Sequence, residues 1–136
     1  MQVIGFYHYD GKFSYVILNH KGKIINFGFL DWDNLKNLYK TLHKIKVHKA
    51  IIEEFLKVKT KQSFELWGAI KYILNLFKIE ILEINQQTLK KIFSNINDFD
   101  KKKILKDAQF RKLKNYNLQE AYIVGYLGLK GELVKL

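Results

Sequence analysis

The sequence contains no cysteine. That excludes a disulfide framework and any Cys-based zinc site, and it is compatible with a reducing cytoplasm. No apolar run approaches the ~20 residues needed to span a bilayer, so a membrane role is not expected. The first residues read as a strand and lack a signal-peptide pattern, which makes the cytoplasm the expected compartment. Arginine is nearly absent, Arg111 being the only one among 24 basic residues. Arg makes bidentate contacts to phosphate or guanine, whereas Lys is a flexible point charge. A cationic surface made of Lys is therefore suited to tracking a phosphate backbone rather than reading bases. Acidic residues are also few: 13 Asp and Glu leave a net charge of +11.

What is present bounds the class. The chain has 136 residues, which fits one compact domain over 1–136. Hydrophobic residues make up 48% of it, enough for a core. A pI near 9.7 favours a polyanionic partner, foremost nucleic acid. The competing reading is compositional: a chain rich in Lys, Ile and Asn and poor in Ala also arises from an AT-rich genome or a thermophile.

Along the chain, residues 2–9, 13–18 and 23–29 read as three strands of an antiparallel meander. Asp10-Gly11 and residues 19–22 supply its turns. Asp31 or Asp33 can cap the helix that follows, marked by Leu35, Leu38, Tyr39, Leu42 and Ile45 at helical spacing. Residues 46–55, KVHKAIIEEF, form a short apolar strand that runs into Glu53 and Glu54, and this strand is expected at the centre of the fold. Alternation across a strand sends the two acids to opposite faces. Working residues in α/β sheets sit at the carboxyl ends of strands, so one glutamate can look into a cleft. Paired glutamates after a strand can equally just end it.

A polar, basic linker over 57–62 comes next, then a helix over 63–77, apolar over most of its surface and so expected to be buried on more than one side. Gly68 within it costs about 1 kcal/mol relative to Ala, which points to a close backbone neighbour. A strand over 79–84, a short helix over 87–93, a loop over 94–99, a basic helix over 100–113 and an apolar helix over 118–129 complete the order. A meander followed by alternating helices and strands predicts an α/β fold, a five-stranded mixed sheet with helices on both faces.

That order is also the order of the RNase H-like fold. Within it the chain resembles the RuvC-type Holliday-junction resolvases over nearly its whole length. VIGFYHYDGKFSYVIL is similar to the family's first hairpin, including Gly5 and Tyr15. KAIIEEF resembles the central strand and places Glu53 on the catalytic glutamate. Gly68 falls on a helix glycine of the family. IEILEINQQTLKKIF places Lys90 on a functional lysine. DFDKKKILKDAQ places Lys101 on a basic position, and NLQEAYIVGYLGL resembles the last helix, with its two acids three residues apart. The resemblance implies a homodimeric endonuclease that holds two divalent metal ions, Mg2+ or Mn2+, on four acids and hydrolyses a phosphodiester of a four-way DNA junction.

The sequence departs from that pattern at the acids. The first-strand acid position falls on Tyr7. Asn117 and Glu120 occupy the two positions of the last helix, so Glu53 and Glu120 are the carboxylates carried over. Asn117 offers a neutral oxygen, and Asp10 is a possible substitute three residues after Tyr7, although an aspartate before glycine in a turn commonly serves the backbone. Either a divergent site survives, or the chain keeps only binding to branched DNA.

Other residues have candidate roles and plain ones. Lys90 and Lys91 can bind the scissile phosphate or sit solvated on a short helix. Lys101, Lys102, Lys103, Lys106, Arg111, Lys112 and Lys114 form a basic run, with Lys103 and Lys106 on one helical face. Lys57, Lys59 and Lys61 alternate in the linker that touches DNA in the family. His8 lies near the presumed site, as a possible base or as a structural histidine. Aromatic residues, 15% of the chain, can stack on unpaired bases. Phe64 and Trp67 are expected at a two-fold dimer interface. Three functions stay open: a junction endonuclease, a non-catalytic binder of branched DNA, and an interaction domain of a virus or mobile element whose charge merely reflects composition.

Overall fold

A computed structural model describes residues 1–54, 60–95 and 113–131. Its elements run β1 (Val3–Tyr9), β2 (Lys12–Leu18), β3 (Ile24–Leu30), α1 (Leu35–Lys44), β4 (Lys49–Glu53), α2 (Lys61–Leu76), β5 (Glu80–Ile84), α3 (Gln86–Asn95) and α4 (Tyr116–Leu129). The order agrees with the sequence reading. The basic helix expected over 100–113 lies outside the described residues except for Leu113.

The five strands form one sheet in the order β3-β2-β1-β4-β5. β1, β2 and β3 pair antiparallel, while β4 runs parallel to β1 and β5 parallel to β4. The middle strand is thus β1, a correction to the expectation that residues 46–55 hold the centre. β1 takes that place because it hydrogen-bonds to β2 through a tight turn and leaves its other edge to β4. That turn has positive φ at both Asp10 and Gly11, as a two-residue hairpin with the right twist requires.

Period-two alternation divides the core into two layers. Val3, Val16, Leu18 and Ile51 face α4, packing with Ala121, Tyr122 and Val124. Ile4, Phe6, Ile17 and Ile52 face α1 and α2, meeting Leu38, Leu42, Leu66 and Ile70. Helices therefore cover both faces. At Gly5, an added Cβ would lie 2.4 Å from Gly125 N and 2.5 Å from Ala121 O. Only glycine lets α4 lie this close on the central strand.

Helix ends are fixed by side-chain oxygens. Thr60 accepts from Ser63 N at the start of α2, and Asn115 accepts from Asn117 N and Leu118 N at the start of α4. Before α1, Asp31 accepts from Asp33 N and Asn34 N, while Asn34 holds the cap position. Two expectations for α2 are corrected. Its buried positions are Ser63, Leu66, Ile70 and Leu74, one face only, with Phe64, Tyr72 and Leu76 exposed. Nothing lies within 4 Å of a Cβ built on Gly68, so close backbone approach does not account for that glycine.

Candidate functional site

β4 delivers Glu53 at its carboxyl end. The residue is only 6% exposed, and Oε2 lies 4.0 Å from Nδ1 of His8 on β1. The parallel pairing of β1 and β4 covers Val3 to Gly5 against Lys49 to Ile51, so the two strands are free to diverge beyond it, where these side chains sit. α2 closes this end from the side: the indole N–H of Trp67 donates to the backbone oxygen of Glu53 at 2.6 Å. Glu54 turns away, half-buried, its N–H donating to Ile84 O on β5. The two glutamates thus differ in exposure, as alternation requires.

Burial lowers the pKa of His8 below 6.5, and the charge of Asp10 partly opposes this. The imidazole is therefore biased toward its neutral form. His8 also packs its ring on Phe13, 5.0 Å between centroids. Asp10 itself is exposed at the hairpin tip with φ 46°. Its place is explained by the turn, and its charge reaches His8 from there.

Tyr7 points to the other layer, toward α4. Opposite it on β2, the buried hydroxyl of Ser14 donates to Asn117 O at 2.6 Å. That bond fixes the first turn of α4 over β2 through the backbone of Asn117. Tyr116 stands edge-on to Tyr7, 6.3 Å between centroids. The pKa of Tyr116 is pushed up to about 12, first by the charge of Glu120, then by a hydrogen bond to that carboxylate, with smaller contributions from burial and from Tyr7. The Glu120 carboxylate, four residues on along the same helix face, is thus a partner of the Tyr116 hydroxyl.

A two-metal hydrolytic site needs several carboxylates converging on one point. Among the described residues no three His, Cys, Asp or Glu side chains form a group that could hold a metal ion. Glu53 is placed against His8, Glu120 against Tyr116, and Asp10 lies out on the turn. Tyr7, at the expected acid position, presents an aromatic ring. The described side chains do not fit a two-metal centre.

The lysines fall into two sets. Lys90 and Lys91 are exposed on α3, and Lys61 is exposed in the first turn of α2. Lys57, Lys59, Lys101, Lys103 and Lys106 lie outside the described residues. Of the pair expected at a dimer interface, Phe64 is 43% exposed. Trp67 is half-buried and engaged within the chain: Phe64 stacks on it, and the Lys71 ammonium sits 3.8 Å from its ring centre.

Sequence reasoning missed Tyr116 and Ser14. The four-residue spacing of Tyr116 and Glu120 was a usable signal once the helix start was placed two residues earlier. Ser14 carried none, because its partner is a backbone oxygen 103 positions away.

No protein-family model matches the chain, and no curated protein sequence does. Solved structures do match. Thermus thermophilus RuvC in complex with a Holliday junction substrate superposes with a TM-score of 0.70 at 10% identity, covering 99% of this chain and 94% of that one. A second structure of RuvC from the same organism gives 0.69, also at 10% identity, covering 99% and 95%. The fowlpox virus resolvase, in a complex with Holliday junction DNA, gives 0.60 at 15% identity, covering 96% and 98%. The chain has the RNase H-like fold of the RuvC-type resolvases.

Proposed function

We propose that this chain binds branched DNA, four-way junctions above all, as a resolvase-fold domain whose described acids do not form the two-metal centre. The observation that carries the reading is the likeness, over almost the entire chain, to resolvases solved on Holliday junctions. The net charge of +11 supports it, since neutralising phosphates supplies most non-specific affinity. Lys61, Lys90 and Lys91, with Lys57, Lys59, Lys101, Lys103 and Lys106, are the proposed contacts to the phosphates. Competition between a labelled four-way junction and linear duplex tests it. The expected result is preference for the junction, unchanged by chelating divalent metal. Equal affinity for both DNAs contradicts it.

A second reading is favoured by one feature, the buried carboxylate of Glu53 at the carboxyl end of β4. In that reading the chain is a junction endonuclease dependent on Mg2+ or Mn2+, with Glu53, Glu120, Asn117 and Asp10 as ligands, Lys90 at the phosphate, and a homodimer paired through Phe64 and Trp67. Nicking of a junction with Mn2+, abolished by Glu53→Gln, would establish it. An unnicked junction with both metals leaves the binding reading alone.

A further inference from the structure

At the carboxyl end of β1, past the point where α4 presses on Gly5, the α4 side of the sheet carries a continuous row of aromatic rings. Tyr116 stands edge-on to Tyr7 at 6.3 Å, Tyr7 stacks with Tyr9 at 6.4 Å and 14°, and Tyr9 meets Phe29 edge-on at 6.3 Å. Sheet register explains the row. Tyr7 pairs with Ser14, and Ser14 with Phe29, so Tyr7 and Phe29 lie on one face with only a small serine between them. β3 extends the apolar surface, because Phe27, which pairs with Val16, and Phe29 are both exposed on this face of the edge strand. Tyr116 is 63% exposed, Phe27 49% and Phe29 40%. Contiguous exposed apolar surface of this kind marks an interaction site.

We propose that this row is a stacking platform for unpaired nucleobases, placed where the resolvase resemblance expects the first acid. The inference rests on the branched-DNA reading and gives it a second contact, to bases rather than phosphates. Charge decides between occupants. A polyanion is the partner that a chain at +11 attracts, and the polyanion with flat π-faces is unpaired nucleic acid. Lys12, paired with Tyr9 across the hairpin, and Lys114, two residues before Tyr116, are both exposed. Acids also stand beside the rings. Burial and then the charges of Asp10 and Asp31 push the Tyr9 hydroxyl up, and Glu120 engages Tyr116. Carboxylates there repel phosphate but not a neutral base, so the backbone is held by lysines and the bases are what reach the rings.

Stacking and phosphate neutralisation differ in salt dependence. Lysine contacts set the slope of log affinity against log salt; stacking on rings does not. The test uses the full chain, a four-way junction with 2-aminopurine at the crossover, and the variants Tyr116→Leu and Phe29→Leu beside Tyr116→Phe. Wild type should quench the probe. Each Leu variant should lose about tenfold in affinity with an unchanged salt slope and reduced quenching, while Tyr116→Phe binds like wild type. Melting curves confirm that the variants fold, and sedimentation reports association. Wild-type affinity in the folded Leu variants overturns the platform and leaves junction binding standing. Absence of wild-type binding overturns both. A loss of self-association in the Leu variants without a loss of DNA affinity overturns the platform in favour of a second copy of the chain as occupant.

Discussion

At the scale of single residues, the site is governed by where two carboxylates find partners. His8 is the clearest handle. Its pKa lies below 6.5 because burial disfavours the imidazolium. The unfolded chain therefore binds the proton more tightly than the folded one. The resulting stability is fully present above the unfolded value, and it is lost as pH falls from about 6.5 toward the folded pKa. A proton NMR titration should show His8 titrating below 6.5, and Asp10→Asn should lower it further by removing the charge that raises it; an unchanged midpoint would contradict the assignment. Tyr116 gives a second test on the other layer. Phenolate absorbance should appear near pH 12 for this residue, and Glu120→Gln should move it back toward 10. What the sequence revealed here was uneven. Glu53 stood out because an apolar strand ended on it. Its contact with His8 and the hydrogen bond from Trp67 depend on how β1, β4 and α2 meet, which no local pattern encodes.

At the scale of elements, a strand glycine pressed under a helix and a helix glycine in open space separate packing from helix preference. Gly5 lies under the backbone of α4, so Gly5→Ala must push α4 off β1. The expected loss is about 1–3 kcal/mol or more in urea melts, as in other overpacked cores. Gly68 has open space around it, so Gly68→Ala should stabilise α2 by up to about 1 kcal/mol. Equal effects of the two substitutions would contradict the packing described for α4. Thr60→Ala should cost about 1 kcal/mol through the lost cap at α2, readable in the same melts. Element order was legible because hydrophobic period and turn residues are local: Asp10-Gly11 marked the first hairpin, and helical spacing marked α1. The central position of β1 was not legible. It depends on β4 choosing the free edge of β1 rather than that of β3, a long-range pairing with no local signature.

At the scale of the whole molecule, the proposed binding of a DNA branch draws on the exposed lysines of α2 and α3 and on the aromatic row at the end of β1, while the Glu53–His8 pair lies buried. The proposed binding by a Lys-rich chain runs through many weak phosphate contacts, so its affinity should fall steeply with salt. Replacing Lys90 and Lys91 together should shallow that dependence by about two phosphate contacts' worth, checked by anisotropy titrations at a series of salt concentrations. The most direct test of the central claim is the ratio of affinities for a four-way junction and a linear duplex, measured in EDTA. The predicted result is clear preference for the junction without any divalent metal. Equal affinities in EDTA, with preference and nicking appearing only when Mn2+ is added, would contradict it.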